Sequence, residues 1–148
     1  MKKLIVVFAF VLATCGYSFG QELGLRFGYY DRSNVAIDGI FGTSQFSRLH
    51  ADVAFFNEGG VGIDLLWDFL YRPIGGEAFN WYIGAGPYTL IDDPFHLGIA
   101  AEIGLEYRFN TVPIVIGADY RPKLSIIENT DLYAGGFGVN VRFVFGKK

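Results

Sequence analysis

From Glu22 onward the chain alternates apolar residues with polar or small ones at a period of two, and almost nowhere at the spacing of a helix. An extended strand sends successive side chains to opposite faces, so this alternation specifies strands and which residues share a face. In Glu22–Tyr30 one face is Leu23, Leu25, Phe27 and Tyr29, and the other is Glu22, Gly24, Arg26 and Gly28. Val61–Arg72 is the clearest run: Val61, Ile63, Leu65, Trp67, Phe69 and Tyr71 oppose Gly62, Asp64, Leu66, Asp68, Leu70 and Arg72. The same pattern marks Val35–Gly42, Arg48–Phe56, Phe79–Tyr88, His96–Phe109, Ile114–Arg121 and Tyr133–Phe145, which brings the expected strands to eight. Turn-type connectors separate them, among them Asn57-Glu58-Gly59-Gly60, Pro73–Ala78, Asn110–Pro113 and, longest, Leu124–Asp131. Short connectors make consecutive strands antiparallel neighbours. With no helix to cover either face, the sheet must close on itself or stack.

The first twenty residues follow a different rule. Met1-Lys2-Lys3 is a basic start, Leu4–Ala13 is an unbroken apolar stretch, and Ser18-Phe19-Gly20 places small residues before Gln21. That is the pattern of a cleavable signal peptide over 1–20, leaving 21–148 as one β-domain. The apolar stretch is half the roughly 20 residues a membrane-spanning helix needs. Cys15 is the only cysteine, in a weak lipidation context (Leu12-Ala13-Thr14-Cys15), so the exported domain has no disulfide framework. A hydrophobic content of 51% excludes disorder, and a net charge of −3 gives no reason to expect a nucleic-acid partner.

Two eight-stranded barrels share this binary pattern with opposite polarity: a soluble one with apolar residues inside, and a membrane one with them outside. Three features favour the second. The apolar face carries both tryptophans and nine phenylalanines, too much volume for so narrow an interior, while the opposite face is rich in glycine. No strand places a charge on its apolar face. The other face carries Glu22, Asp38, Asp52, Asp64, Asp68, Glu102, Glu106 and Asp119, with Arg26, Arg48, Arg72, Arg108, Arg121, Lys123 and Arg142. Such a nearly balanced set suits a lumen where charges pair. Finally, the aromatics fall into two girdles if the N-terminus is periplasmic. Tyr71, Phe79, Trp81, Tyr107, Phe109, Phe143 and Phe145 mark the periplasmic end, and Tyr29, Phe55, Tyr120 and Tyr133 the outer end.

The segments Trp81-Tyr82-Ile83-Gly84-Ala85-Gly86, Gly104–Phe109 and Gly138–Phe145 resemble strands of the small eight-stranded bacterial outer-membrane barrels, the class that includes the transmembrane domain of outer membrane protein A. The resemblance is architectural and covers the whole of 21–148. It implies an all-β, antiparallel up-and-down transmembrane β-barrel in the Gram-negative outer membrane, with both termini periplasmic. It also implies a monomer surrounded by lipid and lipopolysaccharide and inserted by the barrel-assembly machinery. The last strand departs from the family's usual ending, because Gly146-Lys147-Lys148 follow the terminal aromatic Phe145.

The chemistry expected from the residues is sparse. His50 and His96 take the polar parity, and Ser47, three residues before His50, faces the opposite side of an extended strand. Asp64 and Asp68 lie about 13 Å apart along one strand, too far for a coupled pair of carboxylates. No metal-ligand spacing, phosphate loop or nucleophile elbow occurs, so no cofactor, metal or catalytic residue is expected. Acids dominate the outer connectors (Asp31, Glu58, Asp92, Asp93, Glu128 and Asp131 against Arg32), which suits a solvated rim or cation bridging to lipopolysaccharide. The expected function is a non-enzymatic envelope or surface-contact barrel with a plugged lumen. The alternatives are a small-solute channel, a lipid-modifying barrel enzyme and a soluble barrel that binds a lipophile.

Overall fold

The computed structural model describes residues 20–30, 33–57, 59–76, 78–127 and 130–145, without the side chains of Tyr29 and Tyr30. Residues 1–19 of the proposed signal segment, with Cys15, lie outside these residues, as do Asp31, Arg32, Glu58 and Glu128 of the connectors. Ten strands follow one another: β1 (Gln21–Tyr30), β2 (Ser33–Gly42), β3 (Arg48–Phe55), β4 (Val61–Pro73), β5 (Phe79–Ile91), β6 (His96–Arg108), β7 (Ile114–Tyr120), β8 (Lys123–Ser125), β9 (Asp131–Tyr133) and β10 (Phe137–Phe145).

Every pairing is antiparallel, and β1 pairs with both β2 and β10, so the sheet closes into a barrel. Closure pairs the long strands on both sides, and among the described residues only the short β9, which pairs with β8 alone, keeps an edge. The barrel has eight strands, because two of them are each recorded in two pieces. Ala100 pairs with Lys123 and Ile103 with Tyr120 in one continuous register, so β8 continues β7 along β6. Pro122 interrupts the ladder between them because it has no N–H, although its carbonyl still accepts from the Ala101 N–H at 3.0 Å. Along the neighbouring strand the register moves by one residue between Tyr133 opposite Lys123 and Phe137 opposite Tyr120, a bulge at residues 134–136 joining β9 to β10. Strand pairing therefore extends into the expected Leu124–Asp131 connector, as far as Ser125 opposite Asp131. Gln21 lies opposite Phe145, so the first and last described strand residues are neighbours at one end of the barrel.

A second bulge changes which residues face inward. Trp67 pairs with Ala85 but Leu70 with Ile83, so Asp68 and Phe69 share the space opposite Gly84 alone. A Cβ on Gly84 would lie 2.3 Å from Asp68 Oδ1, so glycine leaves room for that carboxylate. Parity beyond the bulge is inverted. Tyr71, expected in the outward girdle, turns into the lumen and donates to Glu106 Oε1 at 2.7 Å. Arg72, expected inside, is exposed, and its guanidinium lies 3.7 Å from the Phe46 ring centroid. The bulge at 134–136 acts likewise on Tyr133, which shares the face of its buried partner Lys123 rather than joining the outer girdle. The remaining aromatics with described side chains, Phe55, Phe79, Trp81, Tyr107, Phe109, Tyr120, Phe143 and Phe145, keep the outward parity. Phe79, Tyr107 and Phe109 stack edge-to-face near the terminal end, with centroids 4.8 Å apart in each contact.

Candidate functional site

The lumen holds the chain's ionisable chemistry. Of the fifteen charged residues expected on the inward face, Glu22, Arg26, Asp38, Arg48, Asp52, Asp64, Asp68, Glu102, Glu106, Asp119, Arg121, Lys123 and Arg142 are buried, the Arg108 side chain is 19% exposed, and Arg72 alone is turned outward. Glycine makes space for them. A Cβ on Gly138 would lie 2.5 Å from the Arg26 guanidinium carbon, and one on Gly104 would lie 2.2 Å from the Tyr82 ring.

Some pairs join neighbouring strands, as Arg48 with Asp68 and Arg142 with Glu22, and others cross the lumen. Arg142 on β10 donates to Glu22 Oε2 at 2.8 Å, to Asp38 Oδ2 at 3.2 Å and to Glu106 Oε2 at 2.5 Å, joining three other strands. Arg108 completes the Glu22 contact at the terminal mouth. Arg48 donates from Nε to Asp68 Oδ2 at 2.7 Å and from Nη1 to Glu106 Oε2 at 2.8 Å. Its guanidinium carbon lies 4.5 and 4.4 Å from the ring centroids of Tyr71 and Tyr82. Arg121 reaches Asp52, Asp64 at 3.1 Å and Glu102 at 2.9 Å, and Lys123 Nζ adds a contact to Asp64 Oδ1 at 3.0 Å. On the remaining wall Arg26 grips Asp119, with Nη2 2.6 Å and Nε 3.0 Å from Oδ1, and the Asn140 amide donates to Asp119 Oδ2 at 3.0 Å. Asp64 and Asp68 thus find cations on other strands rather than each other.

At the centre is His50, fully buried, with Nε2 2.8 Å from Asp38 Oδ1 and Nδ1 3.0 Å from Glu102 Oε1. Both nitrogens face carboxylate oxygens, and a neutral imidazole can donate from only one of them. His50 therefore sits where either an extra proton or another cation is needed. Toward the end away from the termini, Ala36, Ala54, Phe56, Leu66, Tyr88, Leu90 and Ala100 form a buried apolar cluster. At the terminal mouth a polar recess of about 300 Å³ is lined by Glu22, Arg48, Tyr71 and Arg108 among others.

Sequence parity located the charges but missed Tyr71, because a bulge leaves no distinctive residue pattern here. It also could not tell which acid meets which base, since most partners are far apart in the chain. Ser47 bonds with the hydroxyls of Thr43 and Ser44 at 2.9 and 2.7 Å, and no hydrogen bond joins it to His50. Of the rim acids, Asp93 and Asp131 are exposed, and Asp92 Oδ1 accepts from the Asp93 N–H at 2.8 Å. His96 is half-buried at the start of β6, away from the termini. No family model, curated protein or solved structure matches this chain.

Proposed function

We propose that the chain is an outer-membrane β-barrel with an ion-paired, plugged lumen, serving envelope integrity or surface contact without catalysing a reaction. The observation that carries this reading is the inverted polarity. The buried face holds eight carboxylates, while the exposed strand positions are Leu23, Leu25, Phe27, Leu65, Trp67, Phe69, Ile103, Leu105, Val139, Val141 and their like. Each such side chain forgoes roughly 1.5–3 kcal/mol if left in water, and a continuous apolar band of this kind is stable only when something apolar covers it. Lipid tails do so around the whole circumference, and the aromatics near the terminal end suit the headgroup boundary.

In this reading both termini lie in the periplasm, the Asp92-Asp93-Pro94 turn and the β8–β9 end of the barrel face outward, and the partners are lipid, lipopolysaccharide and the assembly machinery. A closed lumen argues against a solute channel, because the ionic network and the apolar cluster occupy the narrow interior of an eight-stranded barrel. The test is membrane fractionation followed by electrophoresis of unheated and boiled samples. A detergent-requiring band whose mobility shifts on boiling is expected, and a periplasmic protein soluble without detergent would refute the proposal.

A further inference from the structure

We propose that His50 Nδ1, Asp68 and Glu102 form a binding site for one divalent transition-metal ion inside the lumen. The inference concerns the interior of the barrel and holds whether or not lipid surrounds it.

Charge balance gives the first reason. Among the described lumen residues eight carboxylates face six permanent cations, Arg26, Arg48, Arg108, Arg121, Lys123 and Arg142. The shortfall is two positive charges in a space largely closed to water, where uncompensated charge is costly. One divalent ion on a neutral imidazole supplies both.

The geometry gives the second. His50 on β3, Asp68 on β4 and Glu102 on β6 are fully or almost fully buried, and one ligand atom from each lies within 4.8 Å of the others. Asp68 Oδ1 is buried without a hydrogen-bond donor. A buried carboxylate oxygen without a donor is satisfied by a proton or by a metal ion. Arg48 occupies the other Asp68 oxygen, and Arg121 occupies Glu102 Oε2. His50 Nδ1 lies 3.0 Å from Glu102 Oε1 and 4.0 Å from Asp68 Oδ2, and Asp68 Oδ1 is the carboxylate oxygen left without a donor. A ligating histidine normally donates its second N–H to a carboxylate that fixes the tautomer, and Asp38 Oδ1, 2.8 Å from His50 Nε2, is placed to accept it. One imidazole nitrogen with two carboxylate oxygens suits Zn²⁺ or Mn²⁺ better than a hard cation that takes oxygen ligands alone. Asp68 falls opposite Gly84, which pairs with Glu102 on its other side, so the constellation is assembled from three strands and has no signature in residue spacing.

Zn²⁺ is the probe. The full chain is folded in detergent with ZnCl₂ or with a chelator, folding is confirmed by the mobility shift, loose metal is removed by gel filtration, and bound metal is measured by elemental analysis. About one Zn²⁺ per folded chain is expected, with at least a tenfold loss in Asp68→Asn and in Glu102→Gln and no loss in the control His96→Asn. If those two variants do not fold, the wild type decides: zinc should be retained and should raise the unfolding temperature above that of the chelator-folded chain. Wild type that retains no zinc, or variants that retain as much as wild type, would overturn the site and leave protons to balance the charge.

Discussion

Replacing Arg26 with methionine probes what the lumen ion pairs are worth. Arg26 on β1 contacts Asp119 on β7 through Nε and Nη2, at 3.0 and 2.6 Å from Oδ1, and Nη2 also donates to the Gly136 carbonyl at 3.1 Å. Methionine keeps much of the stem volume but removes every donor, and Asp119 retains the neutral Asn140 amide at 3.0 Å. Removing one partner of a buried pair costs about 3–5 kcal/mol, mostly because the other charge is left desolvated. The folding equilibrium should fall by roughly two to three and a half powers of ten. Asp119→Asn alone strands the guanidinium in the same way. The double variant Arg26→Met/Asp119→Asn removes both charges and should be more stable than the sum of the single effects by about 2 kcal/mol or more. Urea unfolding in detergent micelles, followed by tryptophan emission and by the fraction of heat-shiftable band, gives all four corners of the cycle. If Arg26→Met changes stability by less than about 1 kcal/mol, or the single effects simply add, the pair is not acting as a desolvated cross-link.

Four further outcomes are expected. Leu65, 42% exposed on β4, should face lipid, so Leu65→Arg should cost roughly 2–4 kcal/mol in bilayer folding assays, whereas Leu65→Val should be tolerated. Gly24→Ala would bring a Cβ to 1.9 Å from the Val141 carbonyl oxygen, so it should part β1 from β10 and cost about 1–3 kcal/mol, checked by the same urea titration. The wild type should show no steady conductance in planar bilayers; a large stable current would contradict the plugged lumen. In intact cells, Asp131→Cys should react with a membrane-impermeant maleimide and Gly76→Cys should not, since the two positions lie at opposite ends of the barrel. Labelling of Gly76→Cys alone would invert the orientation.

Period-two alternation made most of the fold legible in the sequence, because strand parity is a local property of an extended backbone. Leu23, Leu25 and Phe27 face one way and Glu22, Gly24 and Arg26 the other whatever the rest of the chain does, and the glycines predicted room for long side chains before Arg26 and Tyr82 were seen to occupy it. The tertiary structure decided what parity cannot carry. A single extra residue at Asp68–Phe69 inverted the faces of Tyr71 and Arg72, and another at residues 134–136 did the same for Tyr133, since a bulge is set by the mismatch between neighbouring strands and not by either strand alone. Barrel closure chose the ion pairs. Arg142 meets Glu106, and His50 meets Glu102, only because strands distant in sequence face each other across a lumen narrow enough for their side chains to touch.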